Sequence, residues 1–219
     1  MKKCVRGLII LLTLLFISNP SYGNIEQRVW YGFGQANGHY SEDKSGISEP
    51  VTGRSDEFMI DHKFNRRNFN KGQTRSFSVL DTGFDENIEG SRIRGRIGAF
   101  LWGFGYLKKY EFSQKFDGFV TGEAFGGIGV INFRKDSNDY NYPEKWGFNI
   151  PFGLSVMFGL EYDEKYVFGW KRNQIHSRIK AEYDDIETGH LRHWYSTIFL
   201  VGLRFGAESC VPTAYVSCP

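Results

Sequence analysis

The stretch HWYSTIFLVGLRF, His193 to Phe205, decides how the chain folds. His193, Tyr195, Thr197, Phe199, Val201, Leu203 and Phe205 fall on one face of an extended strand, and Trp194, Ser196, Ile198, Leu200, Gly202 and Arg204 on the other. Successive side chains of a strand point to opposite faces, so this segment carries a long apolar stripe rich in aromatic rings. Working back from it, alternation marks eight candidate strands, at about 27–38, 55–65, 73–83, 91–107, 115–133, 146–162, 165–180 and 191–206. The sixth is the most regular. Phe148, Ile150, Phe152, Leu154, Val156, Phe158, Leu160 and Tyr162 share one face, opposite Gly147, Asn149, Pro151, Gly153, Ser155, Met157, Gly159 and Glu161.

The N-terminus supplies the compartment. Lys2, Lys3 and Arg6 precede an apolar run from Leu8 to Phe16, and Ser21 and Gly23 are small residues before a cut after Gly23. A bilayer-spanning helix needs about 20 apolar residues, and this run has roughly half that number. Residues 1–23 therefore read as a cleaved export signal. No later apolar run approaches spanning length, so a mature chain that crosses a membrane does so as strands. Cys4 leaves with the signal, and Cys210 and Cys218 remain. In an oxidising compartment they are expected to close a disulfide loop, contributing about 2–3 kcal/mol to the tail. Two thiols without nearby histidines are a poor metal site.

The chain of 219 residues has a formal charge of +2, and the signal holds three basic residues and no acid, so the remainder is near neutral. That excludes the basic footprint of a nucleic-acid binder. Aromatics at 17% and 26 glycines against six prolines favour strands over helices. No cofactor loop is present, because the glycine run GEAFGGIG (122–129) lies in a strand and opens no helix.

The links between strands differ in character. SEDKSGISEPVTGR, FDENIEG, RKDSNDYNYPEK and AEYDDIETGH are long and polar, whereas NRRNFNKG, KKYEFSQ and YDEK are tighter. Outer-membrane barrels have short periplasmic turns and longer external loops, and a first strand starting at the periplasmic end puts every long link outside. The fold class is therefore all-β: an eight-stranded antiparallel up-and-down transmembrane β-barrel over residues 24–206, with 207–219 as a short periplasmic tail. Tyr162, Tyr166, Phe168 and Trp170 suit an interfacial girdle, with Trp30 and Tyr31 in the same belt. Alternation alone leaves a soluble periplasmic ligand-binding barrel open, with the apolar face inside. Glycine and serine opposite the apolar stripe, together with the link asymmetry, favour the membrane orientation. Pro151 removes a ladder hydrogen bond and predicts a bulge.

In strand count, link asymmetry and the aromatic-ended strand Tyr195–Phe205, the chain resembles the small eight-stranded outer-membrane proteins of the OmpA/opacity type. The resemblance implies outer-membrane lipid and lipopolysaccharide as surroundings. It also implies that Phe205 is the terminal phenylalanine used by the barrel assembly machinery, although Gly206 to Pro219 follow it. The tail is too short for a peptidoglycan-binding domain. Members of this group are adhesins, structural proteins, narrow channels or lipid-modifying enzymes, so the fold selects no function.

The inward set is expected to comprise Asp61, Lys63, Arg92, Arg94, Arg96, Asp117, Glu123, Glu161 and Arg204, paired as ions that plug the lumen. Arg92, Arg94 and Arg96 share a face with Phe100, Trp102 and Phe104, so this placement requires a register slip near Gly98. An alternative comes from a more distant resemblance to lipid A deacylases, barrels with a histidine and a serine close together on a late strand. Here His176, Ser177 and Glu187 (or Glu182) would form a lipid A-modifying esterase. The deacylases separate histidine from serine by one residue, and Arg178 occupies that position. His62, His190 and His193 read as surface histidines rather than metal ligands. Glu42, Asp43, Glu49, Asp136, Asp139, Asp184, Asp185 and Glu187 make the external loops acidic and available to a surface ligand.

Overall fold

The computed structural model describes residues 25–42, 46, 48–64, 71–88, 90–136, 145–183 and 187–205. The expected signal, both cysteines, Asp43, Asp139, Asp184 and Asp185 lie outside the described residues. Nine strand segments follow in order: β1 (Ile25–Glu42), β2 (Ser48–Phe64), β3 (Lys71–Ile88), β4 (Ser91–Glu111), β5 (Phe116–Asp136), β6 (Lys145–Asn149), β7 (Phe152–Tyr162), β8 (Tyr166–Tyr183) and β9 (Glu187–Phe205). β6 and β7 are two parts of one stave. Every neighbour is antiparallel, β1 pairs with β9, and the additional β4–β5 pairing closes the sheet into an eight-stave barrel. No helix among the described residues is long and apolar enough to cross a membrane.

The alternation read from the sequence holds through the barrel wall. Phe148, Ile150, Phe152, Leu154, Val156, Phe158 and Leu160 face outward, as do Phe199, Val201, Leu203 and Phe205. Trp194, Ser196, Ile198, Leu200 and Arg204 are buried in the interior. Trp30 departs from its expected place in the girdle. It is 0% exposed and lies in the lumen beside Phe119, while its neighbour Tyr31 faces out. One face of β1 cannot serve both.

The strands are longer than alternation of apolar residues suggested. β4 and β5 have 21 residues each, and β3 continues through Ile88 to a tight turn at Gly90, so FDENIEG is mostly ladder rather than loop. Polar extensions are held by cross-strand contacts such as Thr52 Oγ1 to Glu86 Oε1 (2.5 Å) and the Arg92–Asp85 pair. A spanning strand needs only about 9–11 residues, so the remainder projects beyond the bilayer.

The bulge expected at Pro151 is absent. Gly129 pairs with Asn149 and Gly126 with Phe152 in one continuous register, and the Gly127 N–H donates to the Pro151 carbonyl at 2.8 Å. Proline keeps the acceptor half of that pair, so the ladder is interrupted without slipping. The irregularity falls on β8 instead. Its pairing with β9 passes from Ile175–Trp194 to Arg178–Arg192, leaving His176 and Ser177 opposite His193.

At the β7–β8 turn, Asp163 and Glu164 have φ of 53° and 51°, and the Lys165 N–H donates to Tyr162 O at 3.2 Å. Both central residues lie in the left-handed region that this turn geometry requires. Glu164→Gly is expected to stabilise the barrel by about 1 kcal/mol, since the left-handed penalty outweighs the entropy that glycine adds to the unfolded chain. A raised urea midpoint in lipid vesicles is the readout, and an unchanged or lowered midpoint counts against the strain.

Candidate functional site

The half of the lumen around the start of β1 and the end of β9 is a connected set of ions. Arg28 Nε lies 3.0 Å from Asp61 Oδ1, Trp30 Nε1 donates to Asp61 Oδ2 at 3.2 Å, and the Arg28 guanidinium stacks 4.7 Å from the Phe119 ring. Glu26 is approached by Lys63 (3.5 Å), Lys109 (3.3 Å) and Arg204 (3.5 Å). Glu161 pairs with Arg204 and, at 3.0 Å, with Lys109. One layer higher, Lys171 sits 2.6 Å from Glu57, which also accepts from Asn173 at 3.2 Å. Glu123 accepts from Thr74 and Ser76 at 3.1 and 3.0 Å. Acids Glu26, Glu57, Asp61, Glu123 and Glu161 thus face bases Arg28, Lys63, Lys109, Lys171 and Arg204, all buried. Ions withdrawn from water need such partners.

Asp117 lies half-buried at the start of β5, on the same inward parity as Glu123. Glu26, Arg28, Glu57, Lys109 and Lys171 were not singled out from the sequence. Parity carried the signal for them: Arg28 alternates with outward Tyr31 and Phe33, and Lys171 lies between inward Gly169 and Asn173. The upper lumen is different in kind. Tyr40 stacks on Phe133 at 5.7 Å and Phe84 meets Trp194 edge-on at 6.5 Å, with Leu80, Ile93, Ile97 and Ile131 buried around them. Paired ions occupy one end of the interior, and the other end is an apolar core.

Arg92, Arg94 and Arg96 were expected in the lumen and face outward instead. β4 keeps one register with both β3 and β5 past Gly98, so the slip that would turn these side chains inward does not occur. The three arginines stand beyond the apolar band, on the projecting part of the strand. Each finds an acid there. Arg92 pairs with Asp85 (2.7 Å), Arg96 Nε with Asp81 (2.8 Å), and Arg94 with Asp136, which Arg134 also contacts at 2.7 Å. The hydrogen bond from Arg92 holds the Asp85 carboxyl below its ordinary value, and that from Arg134 does the same for Asp136. Exposed pairs of this kind add little stability but form a charged collar above the greasy belt. Arg96→Leu is expected to shift stability by no more than about 1 kcal/mol. A larger loss in a urea titration would mean that the collar supports the fold.

The third constellation is the irregularity in β8. His176 and His193 Nδ1 atoms are 2.7 Å apart, and the His176 ring stacks on outward-facing Phe152 at 5.5 Å. His193 has a φ of 48°, a left-handed conformation inside a strand. Ser177 turns the other way, buried, with its Oγ accepting from Trp194 Nε1 at 3.1 Å. The bulge therefore does not bring His176 and Ser177 into a nucleophile–base pair. Imidazole and hydroxyl are engaged by different partners, His193 and Trp194, although both border the same gap in the wall. Glu187 begins β9, opposite Tyr183. His62 sits half-buried on β2, and His190 lies on β9 opposite Lys180 and Ser41. Among the described residues no group of three or more His, Cys, Asp or Glu forms a metal cluster.

A closed eight-stave sheet with outward phenylalanine and leucine and inward paired ions has the organisation of an outer-membrane β-barrel, because hydrocarbon tolerates only closed sheets and apolar outer faces. The structure is of that class. Comparison with protein families and with characterised proteins finds no match. Among solved structures it is similar to Ail, the attachment invasion locus protein of Yersinia pestis, with 16% identity over 82% of this chain and 98% of that one and a TM-score of 0.42. It is similar also to OprG of Pseudomonas aeruginosa, with 12% identity, 84% and 98% coverage and a TM-score of 0.41. The outer membrane enzyme PagL shows 11% identity, 80% and 99% coverage and a TM-score of 0.33.

Proposed function

We propose that the protein is a structural or surface-interaction barrel of the outer membrane whose interior passes no solute. The observation that carries this reading is the filling of the lumen. Arg28, Trp30, Met59, Lys63, Leu80, Ile97, Leu107 and Phe119 are among its largest fully buried side chains. An eight-stranded barrel encloses an interior just wide enough for side chains, and buried side chains of this size support a lumen without a continuous aqueous path. The projecting strands and their arginine–aspartate collar are the surface offered to a ligand or to lipopolysaccharide. Phe205, outward at the end of β9, is the residue offered to the assembly machinery.

Reconstitution in planar bilayers tests this. The wild-type barrel is expected to show no unitary conductance, with heat-modifiable migration confirming that it is folded. Steady single-channel currents from the folded wild type would overturn the closed-lumen reading. Exchanging the residues beyond the collar for short turns is expected to abolish surface binding while leaving that migration unchanged.

A further inference from the structure

The wall of the barrel has a seam beside Pro151. The β7–β8 ladder ends at Phe152–His176, and among the described residues no ladder joins β6 to β8 above it. The seam opens a cleft of about 590 Å3 lined by Phe148, Asn149, Ile150, Phe152, His176, Ser177 and His193. Its outer lip is apolar and continuous with the lipid-facing stripe, with Phe148 88%, Ile150 75% and Phe152 59% exposed. Its floor is polar. Asn149 is 4% exposed, and its Nδ2 has no hydrogen-bond partner. A buried amide left unmatched is disfavoured by about 1–3 kcal/mol and calls for an acceptor.

The other polar groups point to the same ligand chemistry. Ser177 Oγ already accepts from Trp194, which leaves its O–H to donate. The hydrogen bond between the two Nδ1 atoms uses one proton, so in the neutral pair the accepting ring carries its own proton on Nε2. Asn149 and Ser177 thus offer donors, and among the described residues that line the cleft there is no lysine or arginine to balance a phosphate. The left-handed backbone of His193 is the kind of local strain that collects at binding sites.

We propose that this cleft binds the acyl head of a membrane amphiphile, its carbonyl or carboxylate oxygen on Asn149 Nδ2 and its tail along Phe148, Ile150 and Phe152. The test uses the full chain refolded in octyl glucoside, a detergent without a carbonyl group. Palmitate and methyl palmitate, each labelled with 13C at the carbonyl, are titrated and followed by NMR. Saturable binding to the wild type is expected. Asn149→Leu should weaken it by roughly three- to tenfold, the equivalent of one lost hydrogen bond. Asn149→Asp keeps the side-chain volume, replaces the donor with an acceptor, and is expected to weaken palmitate further than the ester. Phe77→Ala, on the outer face of β3 three strands away, should leave affinity unchanged, and heat-modifiable migration verifies that each variant is folded. A preference for the acid identifies free fatty acids as the ligand, and equal binding of the ester identifies acyl esters of the surrounding lipid. Non-saturating partition into wild-type micelles, or equal affinity in the folded Asn149 variants and wild type, would overturn the proposal.

Discussion

Arg28→Leu is expected to destabilise the folded barrel by about 3–5 kcal/mol. Arg28 and Asp61 are both 0% exposed, and removing the guanidinium leaves the Asp61 carboxylate to the Trp30 N–H, 3.2 Å away. An ion stranded in a low dielectric is far less favourable than either a matched pair or two apolar groups. The double variant Arg28→Leu with Asp61→Leu is therefore expected to recover much of the loss. Urea unfolding from lipid vesicles, with intrinsic tryptophan fluorescence as the probe, measures both. Destabilisation of the single variant below about 1 kcal/mol, or a double variant worse than the single, would show that this pair does not hold the lumen together.

Phe158→Arg should follow, with a loss of about 2–4 kcal/mol in a bilayer. Phe158 is 51% exposed on the outer wall, flanked on its own face by Val120 and Trp170 across the neighbouring strands. A guanidinium there meets hydrocarbon in a membrane and water in a soluble barrel. The same substitution therefore separates the two orientations that alternation leaves open. A change near zero in vesicles would return the apolar stripe to solvent and remove the membrane assignment.

Much of the fold was legible because a strand's period of two is imposed by local geometry. Phe148 to Leu160 and Phe199 to Phe205 reveal their face without knowledge of any neighbour. Strand ends were less legible. Residues 85–87 and 48–50 are rich in polar groups and resemble loop, yet their segments pair across the sheet, where Glu86 meets Thr52 and Asp85 meets Arg92. Such contacts exist only once register is set.

The lumen was legible in part. Asp61, Lys63, Glu123, Glu161 and Arg204 were placed by parity alone. The arginines of β4 defeat an argument from chemistry, that charge on an apolar face requires a slip, because the register runs unbroken through Gly98. Nothing in residues 92–104 states where the bilayer ends, and a strand that outruns it carries charge on its outer face at no penalty. The histidine pair was out of reach for a different reason. His176 and His193 are separated by 17 positions, and they meet because of an extra residue in β8 whose position depends on the pairing of three strands.

By itself, the order of residues determined a two-faced ribbon and the approximate number of strands in the wall, since both follow from backbone periodicity. Only the tertiary structure decided which ions become partners, where the sheet projects past its greasy band and where the wall opens beside Pro151. Those depend on register around a closed ring, in which each strand's position is fixed by all the others.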